Sequence, residues 1–181
     1  MKAMTTTEGE YCGTPTVVML TAGQHIDAGT VTVSNDSNYL YVTYSASNGY
    51  QITETRLYVG PQARIPTNKK GNPQIVLYPY GETFISPVGE VTYKFNLSNF
   101  DDCFVVSDHA VVVKYDGDVL VGKQTAWGAG SQLNASGSWA ILFDYCKQAC
   151  TDQPIYFKET AFAYGYDYAT CFLDWGFSRW G

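Results

Sequence analysis

The feature that most constrains the fold is an alternation of apolar and polar residues with a period of two. Apolar side chains stand at positions 91, 93, 95 and 97, and similar alternation recurs over residues 30–59 and 139–145. Since successive side chains of a strand point to opposite faces of a sheet, this pattern predicts strands with one buried face. No segment shows the 3.6-residue stripe of an amphipathic helix. The sequence therefore predicts an all-β antiparallel sandwich, jelly-roll or immunoglobulin-like, with little or no helix.

Short polar segments predict where the chain turns. Asn35–Asn38 separates two alternating runs, and Asp116-Gly117 precedes another, which favours hairpins at both places. Along Gln51–Val59 strict alternation puts Ile52 on the same face as Arg56. From Pro61 to Pro87 the chain contains five prolines, and a loop of this length is usually functional or packed by its own side chains. We expect a candidate surface there.

Charge and hydropathy exclude two classes of partner. The 17 acidic residues outnumber the 11 basic ones, and the basic residues are scattered apart from Lys69-Lys70, so no basic stripe predicts nucleic-acid binding. No apolar run approaches the roughly 20 residues that a membrane-spanning helix needs. The first residues also lack the apolar core of a signal peptide. We expect neither a nucleic-acid partner nor a membrane span.

Five cysteines point to an oxidising compartment. None lies in a Cys-x-x-Cys pair and the chain has two histidines, so a structural zinc site is not indicated and disulfides are. The pairing is left open by the sequence, and one cysteine must remain outside two bridges. We favour Cys150 with Cys171, because that bridge would tie down the end of the chain. The predicted location is extracellular or on the outer cell surface.

The pattern divides the chain into three parts. Residues 1–16 are expected to form a flexible lead and residues 17–146 the sandwich. Residues 147–181 form a cysteine-containing extension, either an added edge strand or the start of a following unit.

Several phrases resemble a known type of module. Gly29–Asp36, Leu40–Tyr44, Thr55–Gly60 and Lys70–Pro73, with the Thr-Ala-Trp phrase ending at Trp127, are similar to an uncharacterised exported module of Bacteroidota-type cell-surface proteins. The resemblance covers roughly residues 17–145. It implies a surface-displayed all-β domain and brings no catalytic residue with it.

Two residue groups suggest chemistry and are weighed against structural explanations. Ser107-Asp108-His109 contains the three residue types of a hydrolase triad, but only Ser107 and His109 share a strand face and no nucleophile elbow accompanies them. Asp101, Asp102 and Asp108 belong to the densest acidic group and are candidate calcium ligands on loops at one end of the sandwich, although Asp101 and Asp102 are also explained as residues that cap a loop. No other cofactor is expected, and we do not expect an enzyme.

Aromatic residues give the leading candidate binding surface. Rings with polar edges stack on sugars or anchor protein partners, although aromatic residues also pack across strands. The candidate binding residues are Tyr78, Tyr80, Trp127, Tyr164 and Trp175.

These features yield three hypotheses of function. The first is a non-catalytic adhesion module that binds a glycan or a surface protein through the aromatic residues. The second is a structural spacer or assembly module of a surface fibre, which is compatible with self-association. The third is a hydrolase whose site forms only in the fold.

Overall fold

A computed structural model describes residues 11–150 and, beyond them, the backbone of two short strands at residues 163–164 and 169–170. The described chain is built of antiparallel strands with three single-turn 3-10 segments, which confirms the predicted fold class. The strands are β1 (Thr16–Ala22), β2 (Ile26–Asn35), β3 (Tyr39–Ala46), β4 (Tyr50–Gly60), β5 (Tyr80–Val88), β6 (Glu90–Asn96), β7 (Cys103–Asp116), β8 (Val119–Gly128), β9 (Ser131–Gln132), β10 (Ile141–Cys146), β11 (Ala163–Tyr164) and β12 (Ala169–Thr170). The 3-10 segments are Gln62–Arg64, Ile75–Leu77 and Leu97–Asn99.

The main sheet curls into a nearly closed, barrel-like sandwich. Its hydrogen-bonded order is β5-β4-β7-β8-β1-β2-β3-β6. The first and last strands meet through side chains, since the rings of Tyr80 on β5 and Phe95 on β6 lie 4.5 Å apart between centroids. The curled sheet therefore encloses one main core.

Period-two alternation determines which side chains enter that core. On β3 the side chains of Leu40, Val42 and Tyr44 are fully buried. The inward positions predicted for residues 91–97 are confirmed, because Val91, Tyr93 and Phe95 of β6 and the following Leu97 pack against the same cluster. The predicted hairpin between β2 and β3 also forms, with Asp36 Oδ1 accepting the backbone N–H groups of the turn.

A β-bulge overturns the predicted face of Ile52. Ile52 pairs with Val112 whereas Glu54 pairs with Val111, so Thr53 is an extra residue in β4. Such a residue breaks the strict alternation of the strand. Ile52 is consequently buried in the main core on the face of Leu57, and Glu54 and Arg56 remain on the outer face.

The long strand β7 is shared by three neighbours. β4 runs along one edge of it, while β8 pairs with residues 109–116 and β10 with residues 103–106 of the other edge. β8 then leaves β7 and pairs with β1. Ser107 and Asp108 therefore lie at a fork between β8 and β10.

A second, smaller core covers the outer side of this fork. Its buried members come from the loop 61–79, from the strands and from the segment before β10, and they are Tyr58, Ile65, Tyr78, Val105, Trp127, Ala140 and Leu142. The proline-rich segment 61–87 is thus packed by its own side chains over 61–78 and supplies β5 after that.

The chain divides into two compact units, 1–151 and 152–181. Residues 147–150, predicted to belong to the extension, are bonded to the first unit: Lys147 N donates to Asp102 O, and Cys150 is bonded to Cys12. The predicted flexible lead is likewise fixed from Cys12 onward, since Cys12 is buried. Unit two contains β11 and β12, which pair antiparallel. Among the described residues no helix has the length and hydropathy to cross a membrane.

Candidate functional site: a disulfide clasp at the chain entry and exit

The entry and exit of the sandwich are joined covalently. Cys12 and Cys150 form a disulfide with 4.4 Å between their Cα atoms and 138 positions between them in sequence. The predicted Cys150–Cys171 bridge is therefore wrong, and Cys171 lies outside the described residues. Because the two ends of the domain meet, a single bond closes nearly the whole fold into one loop.

Asn35, at the end of β2, fixes the exit segment beside this bond. Its Oδ1 accepts hydrogen bonds from Tyr145 Oη at 2.7 Å and Gln148 N at 2.8 Å. Its Nδ2 donates to Gln148 O at 3.0 Å and Asp36 O at 2.9 Å. The Asn35 side chain is fully buried, so the four bonds satisfy its own polar atoms, which water does not reach. Its own carbonyl accepts the N–H of Cys12, which links entry and exit through one residue.

A second disulfide lies close to the Cys12–Cys150 bond in the fold. Cys103 at the start of β7 pairs in register with Cys146 at the end of β10, and the two are bonded across the strands. Lys147 Nζ donates to Phe100 O at 2.7 Å and lies 3.8 Å from Asp102 Oδ1. We call Cys12, Asn35, Gln148 and Cys150 the clasp. The two disulfides indicate an oxidising environment for the protein.

Local sequence carried little signal for this arrangement. Asn35 stands in a polar segment that predicts a turn. Nothing near it in the sequence indicates a contact with residue 148. The two bridges join residues that only the strand order brings together.

The triad-like group at the fork is split between the two cores, as strand alternation predicts. Ser107 faces the smaller core, where its Oγ donates to Ile141 O at 3.0 Å and lies 2.9 Å from Tyr78 Oη. Since the serine hydrogen is used by Ile141, the Tyr78 hydroxyl donates to Ser107. Asp108 faces the main core instead and accepts the Gly128 N–H at 2.6 Å. The three residues do not form a relay.

Burial shifts the pKa values of Asp108 and His109, the two residues that follow Ser107, in opposite directions. Loss of water around the carboxylate raises the pKa of Asp108 to about 7, opposed by its hydrogen bonds to backbone N–H groups. Burial lowers the pKa of His109 to about 4. The imidazole is neutral at pH 7, with its ring edge-on to Trp127 at 5.0 Å between centroids. Within the described part of the chain, its Nδ1 has no hydrogen-bond partner.

Arg56 adjoins His109 on the outer face without engaging it. The two residues pair in register across β4 and β7. Arg56 Nε lies 3.0 Å from Glu54 Oε1, but the alignment is not that of a hydrogen bond. We regard this contact as a partly exposed ion pair, which contributes little to stability.

The predicted calcium ligands do not assemble. Asp101 and Asp102 are exposed, whereas Asp108 is enclosed in the main core. Over residues 11–150, no three His, Cys, Asp or Glu side chains are grouped as a metal site would require.

The predicted aromatic surface is largely internal where it is described. Tyr78 and Trp127 are buried in the smaller core, and Tyr80 is half-buried against Phe95. The exposure on which their binding role depends is therefore not found for Tyr78 and Trp127. The side chain of Tyr164 and the whole of Trp175 lie outside the described residues. A shallow depression of about 530 Å³ does lie on the long loop, lined by Gln62, Ala63, Ile65, Thr67, Gly71 and Leu133.

Comparison with protein-family models, with curated proteins and with solved structures gives no match for this chain.

Proposed function

We propose that this protein is a non-catalytic structural module of a surface-displayed chain, in which the clasp carries tension past the sandwich. The observation that carries the proposal is the Cys12–Cys150 bond, which joins the residues where the chain enters and leaves the fold. Residues continue on both sides of that bond. A pull on them reaches a covalent bond before it reaches any strand of the main sheet.

The mechanical consequence follows from chain geometry. A released loop of 138 residues would add about 470 Å of extended chain. While the bond is intact this length is not available, and the hydrogen bonds between strands of the main sheet bear no load. A module of this kind keeps a constant length under tension, which is what a spacer needs.

The rest of the site supports a structural role rather than a glycan-binding one. Asn35 and the second disulfide hold the exit segment at the point where force would enter. Tyr78 and Trp127, two of the residues considered for sugar stacking, are buried in the smaller core instead. Placement at the outer cell surface is part of the proposal and is supported by the two disulfides.

Single-molecule pulling through peptide tags at both ends of the chain tests the proposal. The oxidised protein should show no step from the sandwich. Reduction of both bridges should reveal a step of about 470 Å. The Cys12→Ser/Cys150→Ser variant, which keeps the 43-residue loop of the second bridge closed, should give about 320 Å from the remaining residues.

The Cys103→Ser/Cys146→Ser variant is the matched control, because it removes a disulfide without opening the clasp. It should show no step. A step of 300 Å or more from the oxidised wild-type protein would refute the proposal.

A further inference from the structure

The hairpin at the tip of β7 and β8 is an unpartnered edge. β8 pairs with β7 along its length, but it pairs with β1 only at residues 126–128. Over the described residues, therefore, no strand lies beside the outer edge of β8 from Val119 to Gln124. We call residues 114–123 the arm. Free N–H and C=O groups along an edge of this kind are a template for pairing with another chain.

The arm also exposes apolar side chains that the core does not use. The exposed fractions are 65% for Val119, 50% for Leu120, 57% for Val121 and 41% for Tyr115. Tyr115 and Leu120 lie side by side, since they pair across the hairpin, and Val119 and Val121 flank Leu120 on β8. A cluster of exposed apolar residues marks an interaction site more often than scattered exposed residues do.

The distribution of charge along the arm favours a second copy of this chain as the molecule that pairs with it. Asp116 and Asp118 stand at the tip, and Lys114 and Lys123 stand at the base. Lys114 is fixed there, because its Nζ donates to Asn48 O at 3.1 Å. A second arm that runs antiparallel would set each acidic tip beside the basic base of the other, whereas a parallel arm would set tip against tip. The arm is thus complementary to another copy of itself.

An irregularity in the arm limits how far such pairing extends. The register of the hairpin shifts between Lys114 and Tyr115, which leaves Val121 as an extra residue on β8. Bulges twist an edge and interrupt long ladders. When two arms pair about a two-fold axis, the outer edge of β8 in each copy is covered by the other copy. The assembly therefore closes at two copies.

We propose that the arm is a self-association surface, on which the β8 edges of two copies of this chain pair antiparallel. The pairing would cross-link two spacers side by side. It does not depend on the clasp, and pulling experiments on one molecule neither require nor exclude it.

Sedimentation equilibrium over a range of concentrations tests the inference. The wild-type protein should form a dimer, and Val119→Thr/Leu120→Thr should weaken the dimer at least tenfold while the far-ultraviolet spectrum and melting temperature stay those of a folded protein. Ile85→Thr is the matched control, because Ile85 is a fully exposed apolar residue on the edge strand β5. It should leave the dimer unchanged.

Charge reversal distinguishes antiparallel pairing from simple hydrophobic contact. Asp118→Lys and Lys123→Asp should each weaken the dimer, and the double variant should restore it. A protein that is monomeric at every concentration would overturn the inference. This outcome includes the case in which the arm binds an unrelated protein and not a second copy of the chain. A dimer that the arm variants leave intact would overturn it as well.

Discussion

Asp108 Oδ1 accepts a 2.6 Å hydrogen bond from the backbone N–H of Gly128, at the place where β8 leaves β7 for β1. The carboxylate replaces the ladder bond that the fork removes. It also lies so close to Gly128 that no side chain fits there: a Cβ would meet Asp108 Oδ2 and would come within 3.0 Å of Val18 Cγ2. The fork thus depends on one acid and one glycine.

Gly128→Ala should lower the free energy of unfolding by about 1–3 kcal/mol, because the added methyl group forces the carboxylate or β1 to move. Gly122→Ala is the control on the same strand, since a Cβ there meets only Lys114 Cβ at 3.7 Å. Chemical denaturation measures both. Equal stability of the two variants would contradict the close packing described at the fork.

The dependence of stability on pH should reveal two opposing titrations. The pKa of Asp108 is 3.8 in its ordinary state and about 7 when folded, so the folded chain binds the extra proton and the unfolding free energy falls as pH rises through that window. The pKa of His109 moves from 6.5 to about 4, so the unfolding free energy falls as pH drops through that window. Between about pH 4 and 6.5 the two effects oppose each other.

Single substitutions should separate the two slopes. In Asp108→Asn, which keeps an acceptor for Gly128, the unfolding free energy should rise from pH 4 to 6.5 by up to roughly 3 kcal/mol. In His109→Gln it should fall from pH 4 to 7 by up to roughly 4 kcal/mol. Denaturation curves at half-unit pH intervals measure both profiles. If neither variant differs in slope from the wild-type protein, the burial of these groups does not control their titration.

Loss of the clasp disulfide should cost more stability than loss of the second bridge. The chain-entropy relation gives about 5 kcal/mol for the 138-residue loop and about 4 kcal/mol for the 43-residue loop. Urea denaturation of Cys12→Ser/Cys150→Ser and of Cys103→Ser/Cys146→Ser compares them. A larger loss for the second pair would show that local contacts between β7 and β10, rather than loop closure, dominate.

Tyr78 should behave as a core residue. Tyr78→Ala should destabilise the protein by about 3–5 kcal/mol, because it leaves a cavity in the smaller core. Tyr78→Phe should cost only about 1 kcal/mol, since it removes the hydrogen bond to Ser107 and keeps the ring. Thermal melting with calorimetry checks the order of the two. An unchanged melting temperature in Tyr78→Ala would restore Tyr78 as a surface residue.

The sequence by itself determined most of the strands and the turns between them, but it missed β5, which lies within the predicted loop 61–87. Alternation placed Leu40, Val42 and Tyr44 on one face, and the Asp116-Gly117 pair placed the β7–β8 turn, because strand faces and turn conformations depend on neighbours along the chain. Alternation also separated Asp108 from Ser107 and His109. It failed at Ile52, where one extra residue in β4 exchanges the two faces.

Only the tertiary structure decided which cysteines form disulfides and which part of the outer face of the sheet is buried under a loop. Cys12 reaches Cys150 because the strand order returns the chain to its starting point, and sequence spacing has no bearing on that return. Trp127 lies on the outer face of the sheet, where a local pattern predicts exposure, but the loop 61–79, which carries Tyr78, folds over it. Burial on that face and disulfide pairing both depend on contacts between residues far apart in sequence, which no local pattern encodes.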